Sequence, residues 1–267
     1  MNFKKAGIFK HSWGDRTEEP QIEQGGVLAV WGSPGSGKTT VAVKLAKHLA
    51  DRGKDVVLLL CDMTAPMLPC ICPPDQLEGE QSLGSVLAAP HPVLPLVKNN
   101  LVTHKKFSHL ALLGMRKGEN EYTYPPFNED QARELIGNLR EVAPFVIIDC
   151  GSYIANDILS AVALMEADSV LRLANADFKT VSYFSSQLSL LKDGRWETDK
   201  QYKTASNVKP GQAVEQIGQT LGGAVFTLFY SAELEQQYLA GNLLEDLSLK
   251  DSRPFRKELE RIIGEVF

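Results

Sequence analysis

No apolar stretch in this chain of 267 residues approaches the ~20 residues that a membrane-spanning helix needs. Its N-terminus, Met1 to Trp13, carries Lys4 and Lys5 but no apolar core long enough for a secretory signal. Both absences point to the cytoplasm. Neither sign of charge dominates. With 28 Lys and Arg against 33 Asp and Glu, the formal net charge is −5, so nothing announces a nucleic-acid-binding surface. Cysteine is scarce, with four residues: Cys61, Cys70, Cys72 and Cys150. Cys70 and Cys72 form a C-x-C pair within a proline-rich stretch, which is not the C-x-x-C spacing usual for zinc or redox chemistry. Cys61 and Cys150 read as small apolar residues at strand ends. The five histidines (His11, His48, His91, His104 and His109) show no metal-ligand spacing, and His48 is expected on the exposed face of a helix. Internal repeats and low-complexity tracts are also lacking.

What is present is ordinary globular composition, 43% hydrophobic and 23% charged. That is enough to build one sizeable core. The expectation is a single domain over 1–267, with an N-terminal extension at 1–24. Its most informative feature is the run Gly32-Ser33-Pro34-Gly35-Ser36-Gly37-Lys38-Thr39-Thr40. Two glycines five apart, followed by Lys and Thr, match a phosphate loop. The context is right as well. Val27 to Trp31 reads as a buried strand, and Val41, Leu45 and Leu49 fall on one face of a following helix that Gly53 is placed to cap. The glycines let backbone N–H groups turn inward around a phosphate, and the new helix points its positive end at it. Lys38 reaches the outer phosphates, and the Thr39 hydroxyl suits magnesium. Trp31 is expected in the core rather than as a platform for a base.

Seven apolar runs read as strands: Val27–Trp31, Val56–Leu60, Leu110–Leu113, Phe145–Ile148, Ser169–Leu173, Tyr202–Asn207 and Ala224–Phe229. Most are continuous rather than alternating, as in a sheet covered on both faces. Helical patterns lie between them at Thr39–Arg52, Gln131–Val142, Phe178–Leu191, Gly211–Leu221 and Glu233–Ala240, with Asn128 and Gln131 spaced as a capping box. This alternation predicts an α/β fold of three layers, a P-loop NTPase fold whose mostly parallel sheet of roughly seven strands is flanked by helices. The segment 62–109 breaks the pattern. It holds seven of the 14 prolines and reads either as a long irregular excursion with a function beside the nucleotide site or as a surface loop with one short helix around Leu83–Ala88.

Two acids end strands at the edge where open parallel sheets bind ligands. Asp149 follows Phe145-Val146-Ile147-Ile148 and suits the water shell of a magnesium ion that bridges the outer phosphates. Gly151, two residues on, suits a backbone N–H close to the terminal phosphate. Asp62 follows Val56–Cys61 and either polarises an attacking water, contacts the metal through water, or forms a simple strand-end turn. Guanine-reading N-K-x-D segments are missing; Asn175-Ala176-Asp177 and Asn207-Val208-Lys209 do not fit. ATP is therefore favoured over GTP.

These segments together resemble the MinD/ParA family of P-loop ATPases, closest to its CpaE/TadZ branch of pilus assembly. The similarity runs from Gly25 to Leu244 and is carried by the phosphate loop, by Gly53–Asp62, by Phe145–Gly151, by Ala167-Asp168-Ser169-Val170, by Ser206-Asn207-Val208, by Leu221-Gly222-Gly223 and by Gln236–Gly241. The resemblance implies ATP-dependent homodimerisation, slow Mg-ATP hydrolysis to ADP, and a protein partner whose placement in the cell the cycle controls. Carried over, Lys38 and Thr39 bind phosphate and magnesium, Asp62 acts in the first switch, Asp149 orders the metal's water, and Asn207 touches adenine. Two departures stand out. Ser33 occupies the position of a second lysine that in the family reaches across the dimer, and Leu60 stands where the family's second strand has an acid. A trans-acting positive charge is worth orders of magnitude in phosphoryl transfer. The alternative reading is therefore a nucleotide-binding scaffold with little hydrolysis. A small-molecule kinase is disfavoured because Arg116 stands alone between Arg52 and Arg133, with no arginine-rich lid. Near the C-terminus, Phe255, Leu259, Ile262, Ile263 and Val266 form an apolar stripe, but its basic residues are balanced by acids, so it is expected to pack on the core rather than on a membrane.

Overall fold

The computed structural model describes residues 25–78, 81–187, 189–212, 218 and 222–267. A nine-stranded sheet runs through the molecule in the order β3-β4-β5-β2-β6-β1-β7-β8-β9. The strands are β1 (Gly26–Gly32), β2 (Val56–Leu60), β3 (Leu77–Glu78), β4 (Val102–His104), β5 (Leu110–Leu113), β6 (Phe145–Asp149), β7 (Ser169–Asn175), β8 (Gln201–Val208) and β9 (Phe226–Phe229). The seven from β5 to β9 along the sheet are parallel and correspond to the seven apolar runs. The other two, β3 and β4, are antiparallel and extend the sheet at one edge. Both come from the proline-rich segment.

The alternation of side chains along β1 divides the interior into two cores. Val27, Ala29 and Trp31 face one side, and Leu28 and Val30 the other. The first side is covered by α3 (Leu83–Leu87), α4 (Leu94–Asn100), α5 (Glu129–Val142), α6 (Ile158–Glu166) and α7 (Phe178–Gln187). The second is covered by α1 (Lys38–Asp51), α8 (Ala232–Leu239) and α9 (Arg253–Val266), with the one-turn helix α2 (Leu68–Ile71) beside them. Trp31 is fully buried. The C-terminal stripe packs inward as expected, with Phe255, Leu259, Ile262 and Val266 buried. No helix among the described residues is long and apolar enough to cross a membrane.

Local signals explain most boundaries. Gly53 takes φ +74°, and its N–H and that of Lys54 close the end of α1 on Ala50 O and Leu49 O. Asn128 and Gln131 form the capping box that starts α5. Segment 62–109 is less irregular than expected. It carries α2, α3, α4, β3 and β4, and its prolines at 69 and 95 sit in the first turns of α2 and α4, where no donor is lost. The helix expected over Phe178–Leu191 ends at Gln187 and is followed by a short 3₁₀ turn, Leu190–Lys192. The helix expected over Gly211–Leu221 lies mostly outside the described residues, as does the 1–24 extension. His48, expected to be exposed, is half-buried, and burial beside Arg52 lowers its pKa.

Candidate functional site

The parallel order places β1 between β6 and β7, so the strand order reverses at the carboxyl end of β1. Ligands of open α/β sheets bind at such a switch point. The residues from Ser33 to Gly37 turn there from β1 into α1. Gly32 has no room for a side chain, because a Cβ would stand 2.2 Å from the Leu173 carbonyl oxygen. Gly35 and Gly37 take φ of +78° and +80°, a left-handed backbone that glycine adopts without strain. Gly37 is the N-cap of α1 and supplies no side-chain acceptor, so the first-turn N–H groups of the helix face the turn.

Three of the expected side chains converge here. The Thr39 hydroxyl donates to Asp149 Oδ2 at 2.6 Å. Lys38 Nζ donates to Ser152 Oγ at 2.7 Å and, more weakly, to Ser33 O at 3.4 Å. Asp149 is 3% exposed, and its Oδ1 has no hydrogen-bond partner among the described residues. Burial pushes the Asp149 carboxyl up to about 7, against the pull of the Thr39 hydroxyl and the Lys38 charge. Burial also lowers the Lys38 ammonium, and Asp149 opposes that shift. The Ser36 hydroxyl is likewise buried and unpaired. Backbone N–H groups at a helix start, an ammonium, a hydroxyl and a carboxylate with a free oxygen are a donor set that fits a phosphate chain with a hard divalent cation.

The other expected residues are spread around this point. Asp62 Oδ1 accepts the N–H groups of Thr64 and Ala65 at 3.0 and 2.8 Å, which is the strand-end turn, while its charge still acts on Lys38 and Asp149. The Gly151 N–H donates to Ser160 Oγ at 2.7 Å. Asn207 is exposed and takes φ +54° beside an irregularity in the β8–β9 pairing. Together with Gly35, Gly37, Thr40, Tyr230 and Tyr238 it lines a cleft of about 390 Å³ that opens beside the phosphate loop. Ser33 is fully buried, its hydroxyl 2.9 Å from Thr180 Oγ1 on α7. Pro34 is half-buried in the turn.

Sequence reasoning missed the residues that brace the loop. Asn175 Nδ2 donates to Gly35 O at 3.0 Å, and Ser206 Oγ donates to Ser36 O at 2.7 Å. Asp177 accepts the Thr180 N–H at 2.7 Å and so starts α7. All three stand at or just beyond the ends of β7 and β8. Position at a strand end is the one signal that marks them, and they share it with Asp62, Asp149 and Asn207.

Cysteine chemistry is not part of this assembly. Cys61 and Cys150 are buried, and burial and each other's proximity hold the Cys61 thiol well above its usual range. No group of His, Cys, Asp and Glu able to hold a metal by itself occurs among the described residues.

Comparison with known proteins agrees with this arrangement. The chain is similar in structure to the cell division ATPase MinD of Pyrococcus furiosus, with a TM-score of 0.69 and 19% identity over 90% of this chain and 99% of that one. It is similar to a ParA family ATPase from Chlorobium tepidum TLS, with a TM-score of 0.72 and 12% identity over 89% and 98% of the two chains. The septum site-determining protein MinD of Pyrococcus horikoshii OT3, complexed with Mg-ADP, gives a TM-score of 0.67 and 17% identity over 88% and 95%. At these identities the likeness is one of fold. No curated protein sequence matches the chain significantly. Residues 27–261 match the CobQ/CobB/MinD/ParA nucleotide binding domain, and the chain belongs to that family.

Proposed function

We propose that this protein binds Mg-ATP on residues Gly32–Thr40 and hydrolyses it slowly to ADP, as a switch that governs the localisation or assembly of a protein partner. The observation that carries the reading is the convergence of Lys38, Thr39 and Asp149 at the carboxyl edge of the sheet, with one Asp149 oxygen left unpaired. Bound Mg-ATP supplies the transferable phosphoryl group and the metal charge that stabilises its transfer. The chain's own residues do the rest. The α1 N-terminus and the Gly35 and Gly37 turn cradle the phosphates, Lys38 neutralises their outer charge, and Thr39 and Asp149 hold the metal directly or through water. Asp62 orders water near the terminal phosphate from the first switch, whereas the Gly151 N–H is already taken by Ser160 Oγ. Asn207 reaches adenine from the cleft.

The reading extends to a nucleotide-dependent homodimer in the cytoplasm, of the pilus-assembly branch, without nucleic-acid or membrane contact. Support for a second reading, a scaffold that keeps nucleotide and hardly turns it over, is also specific. Ser33 replaces the family's bridging lysine and is sealed against Thr180, so no positive charge leaves the loop there. The experiment is phosphate release from Mg-ATP by the purified protein, with Lys38→Ala as the blank and nucleotide affinity measured alongside. Turnover above the blank supports the ATPase. Binding without turnover supports the scaffold, and unchanged ATP affinity in Lys38→Ala removes the site.

A further inference from the structure

Ser152 lies three residues beyond Asp149, in the loop between β6 and α6, and is 9% exposed. Its hydroxyl is used twice, both times on the phosphate loop. It accepts from Lys38 Nζ at 2.7 Å and donates to Gly32 O at 3.0 Å. The backbone around it is held from both sides. Its carbonyl oxygen accepts the Tyr183 hydroxyl of α7 at 2.6 Å. The preceding N–H, that of Gly151, is taken by Ser160 Oγ, which donates in turn to Asp157 Oδ2 at 2.5 Å. Asp157 also accepts the Ser160 N–H at 3.0 Å and so starts α6. The contact with Lys38 is therefore built into two helix positions rather than left to one free rotamer.

The direction of this contact matters. Thr39 and Asp149 mark where a metal would sit, on the β6 side of the turn, and the first-turn N–H groups of α1 mark where the inner phosphates would sit. The Ser152 hydroxyl pulls Lys38 toward β6, the side on which the outermost phosphate would lie. An ammonium bound to a buried hydroxyl makes a strong, charge-assisted hydrogen bond. A diphosphate can use Lys38 while that bond persists. A terminal phosphate needs the same ammonium from the same side and must displace the hydroxyl.

We propose that Ser152 is a positioning residue that sets the preference of the site between di- and triphosphate, by holding Lys38 in the place a terminal phosphate would claim. The inference rests on the nucleotide-binding reading above. It makes the β6–α6 loop and the phosphate lysine a latch, closed by Ser152, Tyr183 and Ser160, which a triphosphate opens.

The test is calorimetric titration of the full-length protein with Mg-ADP and with a non-hydrolysable Mg-ATP analogue, in wild type, Ser152→Ala and Tyr183→Phe. Losing the hydroxyl is expected to shift the affinity ratio toward the triphosphate about tenfold, equivalent to ~1.4 kcal/mol. Tyr183→Phe keeps the hydroxyl but frees the loop carbonyl, and is expected to shift the ratio the same way by about threefold, since a neutral hydrogen bond contributes less than a charge-assisted one. A merely structural role would change both affinities by a common factor. That outcome, or an unchanged ratio in both variants, overturns the proposal. Wild type that binds neither nucleotide overturns the nucleotide-binding reading itself, and this one with it.

Discussion

Lys44 gives the sharpest quantitative test of the fold. It lies on α1 two turns beyond the phosphate loop and is 3% exposed. Its Nζ donates to Gln237 Oε1 at 2.5 Å and to Glu245 O at 2.7 Å, and so ties α1 to α8 and to the chain that follows it. Burial, with the Lys47 charge nearby, pulls its pKa from 10.5 to about 7, despite the opposing pull of Asp246, Glu233 and Glu245. Between those two values the unfolded chain carries a proton that the folded chain has lost. Stability must therefore rise with pH from 7 toward 10.5 and be insensitive to this group well below 7. The linkage integral for these two pKa values gives a gain of about 2 kcal/mol between pH 7 and pH 9. Other groups titrate in the same range with opposite sign, notably the thiol of Cys72, which burial pushes to about 12. The measurement is therefore a comparison. Urea unfolding of wild type and Lys44→Met is run at pH 7 and pH 9. Methionine leaves Gln237 and Glu245 O without a donor at both pH values, a constant offset that cancels. The stability of wild type relative to the variant is expected to grow by about 2 kcal/mol over the interval. Parallel pH dependence in the two proteins would mean that the buried amine stays charged, and the reasoning would fail.

Four further substitutions test the packing. Gly32→Ala drives a Cβ to 2.2 Å from the Leu173 carbonyl, while Gly53→Ala meets nothing within 4 Å and only strains a φ of +74°. The first is expected to cost about 3 kcal/mol and the second about 1 kcal/mol in denaturant unfolding; equal costs would refute the close approach of β1 and β7. Asn128→Ala removes the capping box of α5 and is expected to lower stability by about 1 kcal/mol, with the loss read as faster amide exchange in the first turn of that helix. Arg172 is buried, its guanidinium 4.5 Å from the Phe184 ring centre, and its Nε has no partner among the described residues. Burial draws its pKa down to about 10. Arg172→Met is expected to raise the melting temperature, by a gain of about 1 kcal/mol, because no carboxylate among the described residues is abandoned when the cation goes; a loss of stability would show that the stacking on Trp31 and Phe184 outweighs the desolvation.

The legible parts of this protein were those whose physics is local. The phosphate loop is contiguous, so its glycines, Lys38 and Thr39 announce both backbone geometry and chemistry in nine residues. The seven parallel strands were legible because burial on both faces makes each a continuous apolar run. Helix α6 was not, because Ile158–Glu166 is apolar on nearly every side and shows no amphipathic period. Apart from the short helix expected around Leu83–Ala88, the elements of segment 62–109 were hidden by prolines taken as breakers, although a proline in a first turn starts a helix as readily as one in the middle ends it.

The site divides along the same line. Asp149 was legible as an acid ending an apolar strand, but the residues that hold the loop in shape are small and polar and come from chain segments more than a hundred residues away. Ser152, Asn175, Thr180 and Ser206 have no spacing in common and no distinctive chemistry; only the strand order brings them to one edge. Ser33 shows the consequence most clearly. By the family resemblance it stands where a lysine is expected, which says only that a charge is lacking. In the folded chain its hydroxyl meets Thr180, while the Tyr183 hydroxyl one turn further along α7 meets the Ser152 carbonyl. The same helix thus touches the loop that would bind phosphate and the loop that holds Lys38. The Ser33 hydroxyl makes a contact through which α7 feels the loop's shape, and that contact depends on a residue nearly 150 positions away.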